Sequence, residues 1–235
     1  MTTVKPAWVL SMAILVGWIV GLLGSAARAC PPTSLGIGCG GSITDYLAQN
    51  NGYVIYYHFY YELGSSIFVT NSALDAAFNI LAVLILDRFT PPPFNLTRYF
   101  SIFFASALVG NLFTLLLGSF FASAGASGGI FGLYAAVFSF YWMEDKKIDN
   151  TMLVLFLLIF LGSSFLVSNV NFVAHFGGAL TGFVAGPLLY YALRKKLEVY
   201  APITSSLFAS RVIAGALITL FLLGTVLQFA FLFHF

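Results

Sequence analysis

Two residues in this sequence are of types that together perform base-assisted nucleophilic chemistry. They are Ser127, in Gly125-Ala126-Ser127-Gly128, and His175, in Ala174-His175-Phe176-Gly177-Gly178. A serine hydroxyl is a weak nucleophile until a base within hydrogen-bond reach takes its proton, and histidine is the commonest such base. Each lies near the middle of a long stretch, 99–143 and 150–193, that holds no Asp, Glu, Lys or Arg. Two further polar side chains, Asp75 and Asn79, stand four residues apart in the stretch 67–86, where Asp75 is the only charge. Strongly polar groups are expensive inside a bilayer, so those that occur there mark functional positions.

The elements that must position these residues follow from composition. Only 8% of the 235 residues are charged, 60% are hydrophobic and 17% aromatic. Mean hydropathy is +0.96. Soluble domains carry about 25% charged residues, and disorder needs low hydrophobicity with high charge, so both classes are excluded. A net charge of +2 is too small to imply a nucleic-acid partner. The apolar runs are unbroken, whereas a membrane β-barrel alternates apolar with polar residues. The fold class is therefore an all-α polytopic membrane protein, one membrane domain over 1–235 with the lipid bilayer as its solvent.

A span needs about 20 apolar residues. The gaps between charges give seven: about 8–27, 68–87, 99–119, 126–143, 151–168, 172–193 and 212–234. With the N-terminus in the cytoplasm, Lys5, Arg88, Arg98, Lys146, Lys147, Arg194, Lys195, Lys196 and Arg211 fall inside, and Arg28 alone falls outside. That is the sense of the positive-inside rule, and a cell-membrane location is expected. Lys5, the apolar stretch and Ala27-Arg28-Ala29 resemble a secretory signal peptide. The apolar stretch is long for one, so a retained first helix is expected. The external loop 28–67 crowds Tyr53, Tyr56, Tyr57, Phe59, Tyr60 and Tyr61. Such a loop, with short helical pieces, suits the outer headgroup layer. Cys30 and Cys39 in it could pair on an exported face or stand as two free apolar thiols. Asn95-Leu96-Thr97 matches a glycosylation sequon but falls on the inner side, as does its loop.

In this topology the middles of the two charge-free stretches are outward turns. Ser127 opens the fourth span and His175 the sixth, at one depth. Small residues then repeat every four positions: Gly128, Gly132 and Ala136 after Ser127, and Gly178, Gly182 and Gly186 after His175. Such stripes let helix backbones approach closely. Packing on them would bring Ser127 and His175 within hydrogen-bond reach. No HExxH zinc sequence occurs, Asp75 lacks a second intramembrane aspartate, and no His/Cys/carboxylate cluster suggests a metal. Neither metal nor other cofactor is expected. His58 and His234 read as interfacial residues. A small transporter would also suit seven spans, but no internal repeat is visible.

Together these motifs resemble the rhomboid intramembrane serine proteases. Gly125-Ala126-Ser127-Gly128-Gly129-Ile130-Phe131-Gly132 is similar to their nucleophile motif, Ala174-His175-Phe176-Gly177-Gly178-Ala179-Leu180-Thr181-Gly182 to their AHxxGxxxG motif, and Phe78-Asn79 to the end of their HxxxN element. The resemblance covers roughly 8–193 and implies a six-helix core, with 212–234 as a seventh, C-terminal helix. It implies a hydrolase of regulated proteolysis that cuts transmembrane segments of membrane proteins near the outer face. The alternative is a catalytically inactive rhomboid-like protein that binds client transmembrane helices. Under the resemblance Ser127 is nucleophile and His175 its base, without a third acid. Asn79 and the Ser127 backbone N–H stabilise the oxyanion, and Phe131 packs on the His175 ring. Gly125, Gly128, Gly132, Gly178 and Gly182 allow the close packing. Two departures stand out. Asp75 occupies the position of the family's HxxxN histidine, where a charged carboxylate would repel an oxyanion unless protonated or turned away. The usual Trp-Arg pair of the external loop is missing.

Overall fold

A computed structural model of the chain describes residues 5–23, 43–70, 72–117, 122–144, 151, 152, 154, 155, 158 and 170–198. The expected span 212–234, most of 151–168, Cys30, Cys39 and His234 lie outside the described residues.

Among the described residues the helices include α1 Pro6–Leu23, α2 Ile43–Leu47, α3 Asn51–Tyr57, α4 Glu62–Ser65, α5 Ala73–Asp87, α6 Leu96–Leu117, α7 Ser127–Met143 and α8 Phe172–Glu198. Among the described residues, α1, α6 and α8 (to Arg194) are long and apolar enough to cross a membrane. A fourth span is added if Glu62–Phe68 and α5, which meet at 80°, are taken as one broken crossing. Helices satisfy every backbone polar group internally, which lipid demands.

α7 and α8 make the most extensive helix pair, and α6 packs on both. The core gathers Phe103, Leu133, Val137 and Phe140 from α6 and α7, with Val83 and Leu86 of α5. α1 packs on α5, and Lys5 Nζ lies 2.7 Å from Asp87 Oδ2, tying the start of α1 to the end of α5.

The second span differs from the sequence expectation. The apolar run predicts a helix from residue 68; α5 begins at Ala73. Ser66–Phe68 form a 3-10 turn and Val69 is extended. Ser72 is then extended too, and its side chain accepts the Asp75 N–H as an N-cap. The hydroxyl supplies a start signal that a window of apolar residues does not register. The segment from 43 to 68 does hold short helices, α2 to α4, among stacked aromatics such as Tyr46 and Tyr61, with ring centroids 5.8 Å apart.

The fold also contains a short strand pair with no alternating pattern to announce it. Gln49–Asn50 (β1) pairs antiparallel with Ala122–Ser123 (β2), in register Gln49 with Ser123. This two-residue clasp joins the segment between α2 and α3 to the turn that feeds α7. In the sequon, Asn95 Oδ1 accepts the Arg98 N–H at 3.1 Å and caps the start of α6.

Candidate active site

Ser127 is the first residue of α7 and His175 the fourth of α8. His175 Nε2 lies 2.8 Å from Ser127 Oγ. Ser127 is half-buried and His175 buried. The Phe131 ring, one turn below Ser127, stacks on the imidazole at 4.1 Å between centroids and 9° between planes. That contact fixes the ring plane and leaves its edge facing the serine.

The glycines explain why the two helices stand so close. A Cβ on Gly178 would run into the Gly128 carbonyl, and one on Gly182 into the Gly132 carbonyl. A Cβ on Gly132 would strike Ser106 and come to 2.9 Å from the Gly178 carbonyl. A Cβ on Gly128 would sit 3.3 Å from the Ala174 carbonyl, directly before His175. At Gly178 and Gly182 backbone faces backbone, so no side chain can be added there without moving a helix.

The turn before Ser127 is equally constrained. Gly125 has φ +137°, a conformation that residues with a Cβ rarely adopt. Its N–H donates to the Ser66 carbonyl at 2.9 Å. Ala126 follows as the N-cap and offers no side-chain acceptor. The N–H of Ile130 is the one that returns to the Ala126 carbonyl. The N–H groups of Ser127, Gly128 and Gly129 therefore point out of the helix start, where partial positive charge accumulates. A negative oxygen forming beside Ser127 Oγ would meet them.

Asn79 and Asp75 sit on one face of α5. Asn79 is buried, and its Nδ2 donates to Asp75 Oδ1 at 3.0 Å. Asp75 is turned toward the turn before Ser127. A Cβ on Gly125 would lie 3.4 Å from Asp75 Oδ2 and 3.7 Å from Ser127 Oγ, so both flank one spot. α5 is tied to α7 by Tyr134, whose hydroxyl donates to the Ala82 carbonyl at 2.8 Å. Tyr141 similarly donates to the Phe89 carbonyl.

A buried polar network behind the site escaped sequence reasoning. Gln49 Nε2 donates to Asn51 Oδ1 and to the Asn111 carbonyl. Asn51 Nδ2 donates to the Thr114 carbonyl. Asn111 Nδ2 donates to the Leu63 carbonyl and to Ser66 Oγ. Glu62 is fully buried and accepts the Asn50 N–H at 2.8 Å. The signal was present: Asn111 is a strong polar residue inside a charge-free span, the same criterion that singled out Asn79. Among the described residues no three His, Cys, Asp or Glu side chains gather as metal ligands would.

Long apolar helices closing on a Ser–His contact mark an all-α polytopic membrane protein. The Rhomboid domain family matches residues 57–192, more than half the chain, and the chain belongs to the rhomboid family. Over 117 residues, 48% of its length, it is 31% identical to the rhomboid protease GluP of Bacillus subtilis (strain 168), of which that match spans 23%. It is 26% identical over 127 residues, 52% of its length, to YdcA of the same organism, whose name also refers it to the rhomboid proteases. That match spans 62% of YdcA. The chain thus aligns with less than two thirds of each relative's own length.

Proposed function

We propose that this chain is an intramembrane serine endopeptidase that cuts transmembrane segments near the outer face of the membrane. The observation that carries the reading is the 2.8 Å contact between His175 Nε2 and Ser127 Oγ, at the joined ends of two glycine-seamed helices in a rhomboid chain. In this reading Ser127 Oγ attacks the peptide carbonyl while His175 Nε2 takes its proton. The C–N bond then breaks, and the imidazolium hands that proton to the leaving amine. A water, deprotonated by His175, releases the acyl group and restores Ser127. The Ser127 N–H and Asn79 carry the oxyanion, each donor worth roughly 2.7–4 kcal/mol.

The substrate is a helix that enters sideways from the bilayer and unwinds locally, since a helix hides its peptide bonds. Small or helix-breaking residues near its outer end favour that step. The proposed arrangement is six core helices within 8–193 plus a seventh at 212–234, N-terminus in the cytoplasm, site opening outward in the cell membrane. Asp75, with Oδ2 beside the Gly125 turn, is the observation that favours a second reading, an inactive rhomboid-like binder of client helices.

A fluorophosphonate serine probe and a membrane-embedded reporter separate the two. Labelling and cleavage that vanish in Ser127→Ala select the protease. A folded chain that labels no better than Ser127→Ala selects the binder.

A further inference from the structure

Asn171 stands four residues before His175 and immediately before α8. Its half-buried side chain uses three hydrogen-bonding positions on three different elements. Oδ1 accepts the Ala174 N–H at 3.0 Å, capping α8. Nδ2 donates to Thr114 Oγ1 of α6 at 2.9 Å and to Ser123 Oγ of β2 at 2.9 Å. The directions agree, because Thr114 Oγ1 gives its own proton to the Gly110 carbonyl and keeps its lone pairs for Asn171. Both amide hydrogens and one oxygen lone pair are thus used.

The three elements are those whose relative position sets the Ser–His distance. Ser123 lies four residues before Ser127, in the strand clasped to Gln49. Ala174 precedes His175, and the His175 N–H donates to the Asn171 carbonyl at 3.2 Å, closing the first helical turn. Thr114 is fully buried on α6, the helix packed against both α7 and α8. Lower in the membrane the glycine seam holds α7 to α8. At the level of the pair itself, where the seam ends and the chain leaves the helices, the Asn171 amide spans the same gap.

We infer that Asn171 is a positioning residue for the Ser127–His175 pair, fixing the first turn of α8 against the strand that feeds Ser127 through one side-chain amide. The inference rests on the protease reading for its effect on rate, and on the hydrogen bonds alone for the clamp. Serine is about as good an N-cap as asparagine but is too short to reach Thr114 and Ser123. Asn171→Ser therefore keeps the cap and removes the clamp.

The test measures fluorophosphonate labelling of the full chain in one detergent, at a temperature where each variant is fully folded. The variants are Asn171→Ser, Ser123→Ala, Asn171→Ser with Ser123→Ala, and Ser127→Ala as blank. Misplacing reacting groups by about 1 Å can cost about 10²-fold, so Asn171→Ser should label about 10- to 100-fold more slowly at saturating probe, with half-saturation unchanged. Residues sharing one interaction do not add. The double variant should therefore label no more slowly, and melt no lower, than Asn171→Ser. A merely structural cap would move neither the saturating rate nor this non-additivity. Natural-rate labelling by folded Asn171→Ser overturns the inference and leaves the Ser–His pair standing. If the natural chain itself labels no better than the blank, the protease reading fails, and the melting comparison alone decides the clamp: additive losses overturn it. Should Asn171→Ser not fold, Thr114→Val and Ser123→Ala, singly and combined, carry the same comparison.

Discussion

Between α7 and α8 the spacing is set by backbone against backbone: Gly128 faces Gly178, and Gly132 faces Gly182. Between α5 and α7 it is set by side chains, with the Tyr134 hydroxyl reaching the Ala82 carbonyl and the Tyr141 hydroxyl the Phe89 carbonyl. The first seam carries the proposed nucleophile and base, the second the proposed oxyanion donor Asn79 and its partner Asp75. A nucleophile and base need one fixed distance, which rigid backbone contact gives. A donor to a transient oxygen needs orientation, which a hydrogen-bonded side chain gives. The contrast makes the α7–α8 seam intolerant of added volume and the α5 face sensitive to lost polar atoms.

The largest effect should come from the pair itself. His175→Ala, like Ser127→Ala, should lose roughly 10⁶-fold in turnover, and the double variant no more, because the two act as one unit. Reporter cleavage by purified protein measures this; robust cleavage by either single variant ends the assignment.

On the α5 face, Asn79→Ala should lose roughly 10²–10³-fold in turnover with little change in substrate affinity, as removal of one oxyanion donor does. An equal loss in probe reactivity and in thermal stability would make Asn79 a packing residue instead.

On the α7–α8 seam, Gly182→Leu adds volume where the Gly132 carbonyl already stands. Overpacking costs about 1–3 kcal/mol, and the shift should lower the rate about 10²-fold without touching either reacting residue. Gly182→Ala should fall between. A fully active Gly182→Leu would mean that the seam does not set the Ser–His distance.

The smallest effect separates the charge of Asp75 from its hydrogen bond. Asp75→Asn retains an oxygen to accept from Asn79 and removes the negative charge near the Ser127 turn. It should keep or raise activity at neutral pH. The carboxylate repels the oxyanion only when ionised, so in the natural chain the rate should fall as pH rises through the Asp75 titration, and Asp75→Asn should flatten that fall. The acid limb, where His175 must lose a proton to act as base, should be common to both. A pH–rate profile of the two proteins measures it. An Asp75→Asn variant as inactive as Ser127→Ala, yet folded, would make Asp75 an essential acid–base group.

Much of this arrangement is legible in one dimension because its causes are periodic or compositional. Charge-free length gave α6 and α8 close to their observed bounds. The four-residue repeat of Gly128, Gly132 and Ala136 against Gly178, Gly182 and Gly186 anticipated which helices would touch. The start of α5 is not legible in the apolar run because one hydroxyl, Ser72, decides it. The β1–β2 clasp spans two residues a side, too short for any alternating pattern. Asn171, Thr114 and Ser123 belong to three segments, and only the folded chain brings them together. Depth in a span marks Asn79, whereas the roles of Asn111 and Asn171 come from partners distant in sequence.

The absence of room along the α7–α8 seam has a volumetric consequence. Hydrostatic pressure acts on internal voids, since the volume change of unfolding scales with the void space eliminated. Where a carbonyl rests on a glycine Cα with no space for a methyl group, compression finds little to remove. The geometry between Ser127 and His175 should therefore persist to pressures that already loosen parts of the molecule packed through larger, imperfectly fitting side chains.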